Sequence, residues 1–229
     1  MVAAKLDKKD LEQPDAFQEA MGKIIGYAAA NRRTLVAAGV AIVLAIILAG
    51  GYFYYTSSQE TDAGRLYFDA RIQAMKANPM GTGTTGPEAV KALADLVEKY
   101  PSTHAAQSAR YELGSLYFGA GEYDRSIQVY RDFLDRASGG DIRAIYAWFG
   151  IGYAHEAKQE YEKALEAFGR VASMNPGAVH EGISYRNLAR IHEEMNDRGK
   201  ALDYYRKALE KTKDPAAATL LKRKIAQLG

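Results

Sequence analysis

The chain has 229 residues, 30 Lys+Arg against 28 Asp+Glu, a formal net charge of +2 and 48% hydrophobic residues. So close a balance gives no electrostatic footprint for nucleic acid, whose binders cluster basic charge, and so apolar a chain is globular rather than disordered. The absence of cysteine excludes disulfides, thiolate zinc sites, iron–sulfur clusters and a cysteine nucleophile.

Residues 1–33 read as a tail ahead of a membrane anchor. After Pro14-Asp15, the residues Phe17, Met21, Ile24, Ile25 and Ala28 recur at helical spacing. That pattern suits an amphipathic helix lying on a membrane surface; a solvated, half-ordered tail is the other reading. From Leu35 to Phe53 there are 19 residues without a charge, roughly 28 Å as a helix, close to the thickness of a bilayer core. Arg32 and Arg33 precede this run, and Tyr52, Phe53, Tyr54 and Tyr55 close it as an aromatic belt. The charged lead is longer than that of a cleaved signal peptide, so residues 34–56 are expected to be a retained transmembrane signal anchor. Lys23, Arg32 and Arg33 on one side face only Arg65 and Arg71 on the other. By the positive-inside rule the N-terminus is cytoplasmic and residues 57–229 lie outside, in the periplasm of a bacterium with an outer membrane. The expected location is therefore the inner membrane, single-pass. Ala37, Ala41, Ala45 and Ala49 form one small-residue ridge on this helix. The ridge reads either as a contact face for another membrane helix, self-association included, or as the plain alanine content of an apolar span.

Residues 57–229 repeat. Ala89, Ser126, Ala164 and Ala201 stand 37, 38 and 37 positions apart, and a period of that size signals stacked helical hairpins. In the same register Leu113-Gly114 falls on Ile151-Gly152 and Leu188-Ala189, Tyr117 on His155 and His192, and Tyr130 on Phe168 and Tyr205. Small residues in one column predict close crossing of the paired helices, and the large ones fill the wedge between neighbouring hairpins. No hairpin can bury its apolar face alone, so the copies must stack. Turns are predicted at Gly121-Glu122-Tyr123 and Asn196-Asp197-Arg198-Gly199 within hairpins, and at Ser138-Gly139-Gly140-Asp141 and Asn175-Pro176-Gly177 between them. The repeats run over about 60–101, 107–138, 145–176 and 182–213, and a polar capping helix covers 216–228. The fold class is all-α: one transmembrane helix, then a helical solenoid.

Trp148, Ile151-Gly152, Ala164, Phe168 and Pro176, with Leu113-Gly114 and Tyr117 in the copy before, resemble the tetratricopeptide-repeat pattern. The copies exceed the usual length of that repeat, and Ala189 and Lys213 stand where glycine and proline are customary. The layout of short tail, single anchor and repeats resembles a bacterial family of membrane-anchored, tetratricopeptide-repeat-like proteins that includes the ancillary subunit of the Sec translocon. That resemblance implies protein partners, namely Sec translocon subunits and a periplasmic chaperone. Tyr100-Pro101-Ser102 followed by Ala105, Ala109, Leu113 and Gly114 also resembles the repeats of cell-envelope coordinators.

The search for chemistry is negative. Gly81-Thr82-Gly83-Thr84-Thr85-Gly86 spells a dinucleotide-type glycine pattern, but a helical stretch precedes it where a strand is required. His155 and His192 share a repeat column with Tyr117 and read as packing residues, and no acid repeats with them as a metal ligand. No catalytic residue, cofactor or metal is expected, nor an enzyme.

The binding surface of such an array is the first helix of each hairpin. The predicted lining is Tyr111, Ser115 and Phe118, then Tyr146, Phe149 and Tyr153, then Arg186, Asn187, Arg190 and Glu193. One reading is a groove that takes an extended or helical peptide on its aromatic part, with a polar end where Arg186 and Arg190 together hold a carboxylate or phosphate. The other is that the rings are core. The expected function is a non-enzymatic interaction module, an anchored chaperone-scaffold factor of the export translocon. The alternative is a scaffold of the cell envelope or of cell division.

Overall fold

The computed structural model describes residues 16–77 and 86–229, so Pro14, Asp15, the Phe17 side chain and Gly81–Thr85 lie outside the described residues. Among the described residues there are ten helices and no strand. Two compact units divide the chain, Met1–Ser57 and Ser58–Gly229.

In the first unit, α1 (Ala16–Ala30) exposes Met21, Ile24 and Ile25, and Tyr27 as well. Helix α2 (Arg32–Ala77) begins after Asn31, whose Nδ2 donates to the Tyr27 carbonyl at 3.0 Å. Its most apolar window has a mean hydropathy of 2.5 and is 0% buried, so by length and composition the helix can cross a membrane. Ala37, Ala41, Ala45 and Ala49 are all exposed on it.

In the second unit, residues 58–77 of α2 contribute buried Ala63 and Ala70 to a core with α3 (Pro87–Lys99) and α4 (His104–Gly119). Three hairpins follow the same plan: α4 with α5 (Tyr123–Leu134), α6 (Arg143–Ala157) with α7 (Tyr161–Ser173), and α8 (Ala178–Glu194) with α9 (Arg198–Lys211). Helix α10 (Pro215–Leu228) closes the solenoid, burying Leu221 beside Tyr205. Pro87 and Pro215 sit in the first turns of α3 and α10, where a missing N–H costs no hydrogen bond.

Each hairpin turns in the same way. Gly121, Gln159 and Asn196 have φ of 78°, 59° and 60°. The next N–H in each case reaches back to the carbonyl of Tyr117, His155 or His192 at 2.8–2.9 Å, a left-handed closure that satisfies the last helical carbonyls. The Asn196 turn is tighter than the sequence suggests: Asp197 caps α9 by accepting from the Lys200 N–H, so Arg198 and Gly199 are already helical.

Close crossing is confirmed where small residues predict it. A Cβ on Gly114 would stand 2.6 Å from the Tyr130 ring, and one on Gly152 would stand 2.5 Å from the Phe168 ring. Both rings therefore lie on the glycine of their own hairpin rather than only in the wedge between hairpins. Tyr130 does both, because a Cβ on Gly150 of the next hairpin would collide with its other edge.

Candidate aromatic groove

Three first helices supply one groove of about 570 Å³. Tyr111, Ser115 and Phe118 come from α4, one or two helical turns apart and so on one face. Tyr146, Phe149, Gly150 and Tyr153 come from α6, while Val179, His180, Ile183 and Arg186 come from α8; Tyr130 of α5 forms the floor. None of these residues is acidic. Burial holds the Tyr130 hydroxyl up at about 12 and also raises that of Tyr111, so both stay neutral donors over the physiological range.

The α6 and α8 walls are laced together by side chains 34 residues apart. Tyr146 and His180 meet edge to face with ring centroids 5.4 Å apart, and the hydroxyl lies 3.1 Å from Nε2. His180 Nδ1 lies 3.2 Å from the Pro176 carbonyl, which can only accept, so in the neutral ring Nε2 takes the Tyr146 proton. Asn187 Nδ2 donates to the Tyr153 hydroxyl at 2.9 Å, leaving that hydroxyl's own proton free to donate elsewhere. Arg190 is ion-paired with Glu156.

Seven of the predicted lining residues therefore stand around one recess: Tyr111, Ser115, Phe118, Tyr146, Phe149, Tyr153 and Arg186. The polar end is placed differently. Asn187 is 1% exposed and holds Tyr153 from behind. Arg190 is ion-paired with Glu156 and its Nη2 donates to Asn187 Oδ1 at 3.3 Å, so part of its donor set is already in use. Glu193 accepts from Tyr205 at 2.7 Å and from Lys224 of α10 at 2.8 Å. Burial pushes the Glu193 carboxyl up, but those hydrogen bonds outweigh it and leave the group below the ordinary carboxylate value. Phe149, 6% exposed, is both groove wall and core, packing on Phe168. Sequence reasoning missed His180, Val179 and Ile183, although all three lie one or two turns before Arg186 on the same helical face.

Among the described residues no group of three or more histidines and acids is placed to hold a metal ion. His155 and His192 are buried at hairpin turns, with His155 Nδ1 2.6 Å from Glu160 and His192 stacked on Tyr204 with centroids 5.5 Å apart.

Two tetratricopeptide-repeat descriptions match the chain, one over residues 86–141 and one over 141–214. Residues 86–214 are tetratricopeptide repeats. The photosystem I assembly protein Ycf3 of Prochlorococcus marinus is 34% identical over 65 residues, 28% of this chain and 38% of that protein. The chain thus matches well under half the length of that relative. A MamA double mutant from RS-1 superposes with a TM-score of 0.53 at 16% identity, covering 72% of this chain and 93% of that one. Another crystal structure titled MamA gives 0.51 at 18% identity over 72% and 87% of the two chains. At such identities the likeness shows the repeat fold alone. In a tetratricopeptide solenoid the groove described above is formed by the first helix of successive repeats.

Proposed function

We propose that this protein is a non-enzymatic scaffold, anchored in a bacterial inner membrane through α2, that holds a partner polypeptide in the aromatic groove of its periplasmic repeats. The observation that carries the reading is the groove itself: rings from the first helices of successive repeats converge on one recess. Such rings supply large contact area at small conformational cost. Tetratricopeptide repeats act through protein partners, and Ycf3, by its name, is an assembly protein. The placement beside the protein-export translocon, and the periplasmic chaperone as partner, rest on the resemblance in layout. Membrane attachment rests on the charge-free run of α2 and its flanking arginines. The alanine ridge offers a face for a neighbouring membrane helix or a second copy.

The test is photo-crosslinking from Ser115 and Val179, exposed positions on the same groove, in native membranes, with the captured proteins identified by mass spectrometry. Translocon subunits or a periplasmic chaperone are expected from both sites. Adducts confined to cell-division or other envelope proteins support the alternative scaffold instead. Groove-independent capture, unchanged by Phe118→Ala with Tyr146→Ala, overturns the groove. Phe149 is unsuited to this test, because removing a core ring unfolds the surface being probed. Release of the full-length chain from membranes by alkaline carbonate overturns the anchor.

A further inference from the structure

The aromatic groove does not end at α8. A second recess of about 280 Å³ opens between α8, the α9–α10 connection and α10. Val179, Ile183 and Arg186 line both recesses, so the two adjoin across one face of α8. Gly182, Ala217 and Leu221 give the second recess a small, apolar wall.

Charge at the junction is uncompensated. The acids about one or two turns from Arg186 on α8 are committed, Glu181 to Lys211 at 2.8 Å and Glu193 to Lys224, as is Glu156 of α6 to Arg190. Asp214, which lines the second recess, turns its carboxylate onto the Ala216 and Ala217 N–H groups at the start of α10. Lys213 adds an exposed cation on the same rim. Arg186 is half-buried and has no hydrogen bond or ion pair among the described residues. A guanidinium on an apolar floor, in a groove without a free acid, attracts a carboxylate more strongly than one in open water does.

We infer that the two recesses form one site for an extended acidic–apolar segment: a bulky apolar side chain among the rings, a carboxylate on Arg186, and a smaller apolar side chain against Ala217 and Leu221. In this arrangement α10 is part of the recognition surface as well as the cap of the solenoid. The inference rests on the groove reading and adds to it the charge and the length of the occupant.

The test is selection from a phage-displayed random library of about eight residues, on the full-length chain in detergent micelles. Peptides with an Asp or Glu between two apolar residues are expected to enrich. The best of them, synthesised and followed by fluorescence anisotropy, should bind about tenfold more weakly when its acid is changed to the amide, the scale of a lost charged hydrogen bond. Against Arg186→Gln the acid and amide peptides should bind alike, and Arg186→Glu should enrich Lys or Arg at that position. Ala217→Trp should remove the selection for the second apolar residue only. Far-ultraviolet dichroism and melting confirm that each variant is folded. Groove-dependent peptides without an acid preference, or unaffected by Ala217→Trp, overturn the inference and leave the aromatic groove standing. No enrichment, or enrichment indifferent to Phe118→Ala with Tyr146→Ala, overturns both.

Discussion

The α6–α7 and α8–α9 hairpins share a backbone plan but are joined by different forces. In α6–α7 the helices meet through Gly152 under the Phe168 ring, with Ala164, Ala167 and Val171 around it, all 2% exposed or less. In α8–α9 Ala189 occupies the glycine column, and polar ties gather at the edges: Tyr205 on Glu193 and Lys211 on Glu181, with Lys224 of α10 also on Glu193. A hairpin joined by a ring on a glycine has no room for an added methyl, whereas one whose core is flanked by half-exposed ion pairs also depends on charge. Substitutions that alter size at the crossing should therefore hurt the first most, and loss of the edge ion pairs should register in the second.

Phe168→Ala breaks the comparison hardest, because it empties a fully buried ring site; a loss of about 3–5 kcal/mol is expected. Urea unfolding followed by Trp148, the one tryptophan of the chain, measures it, since Trp148 packs against both neighbouring cores. Gly152→Ala comes next at about 1–3 kcal/mol, as the added methyl displaces a ring that has nowhere to go. The matched control is Ala189→Gly, which should cost about 1–2 kcal/mol through helix propensity and one buried methyl. Lys224→Met should cost about 1 kcal/mol, read from hydrogen exchange in α8 and α10. Because the pair is partly exposed, that loss should shrink in high salt.

Acid provides the smallest expected effect. Burial lowers the His192 pKa below 6.5, with Asp197 opposing and Lys200 assisting. A lowered folded value means the unfolded chain binds the proton more readily. The stabilising contribution is complete above pH 6.5 and is lost as the pH falls through that value towards the folded one. His192→Phe should flatten this acid-side slope in thermal melts between pH 7 and 5.

Much of this was legible in the sequence because the repeat columns are made of residues with one packing solution. Gly114 and Gly152 are small where a ring must sit, and Gly121 and Asn196 take the left-handed turn that most residues avoid. Gln159 makes the same turn with no such signature. The ring side of the groove followed from reading first helices at helical spacing. Its polar end did not, because repeat columns superpose at 37 or 38 positions while neighbouring first helices touch 34 apart, one helical turn out of step. Column alignment therefore could not show that Arg190 falls on Glu156, Asn187 on Tyr153 or His180 on Tyr146. Nor could it show that, among the described residues, Arg190 is ion-paired while Arg186 is not.

Tyr130 is wedged between Gly114 of its own repeat and Gly150 of the next. Neither repeat can peel away without stranding that ring, so α4–α5 and α6–α7 should rupture together when the array is pulled from its ends with optical tweezers. Across the following boundary Leu188 and Ile191 of α8 share a core with Phe149, Phe168 and Val171, but among the described residues no ring there is wedged between two glycines, and the force trace should show smaller, separable steps.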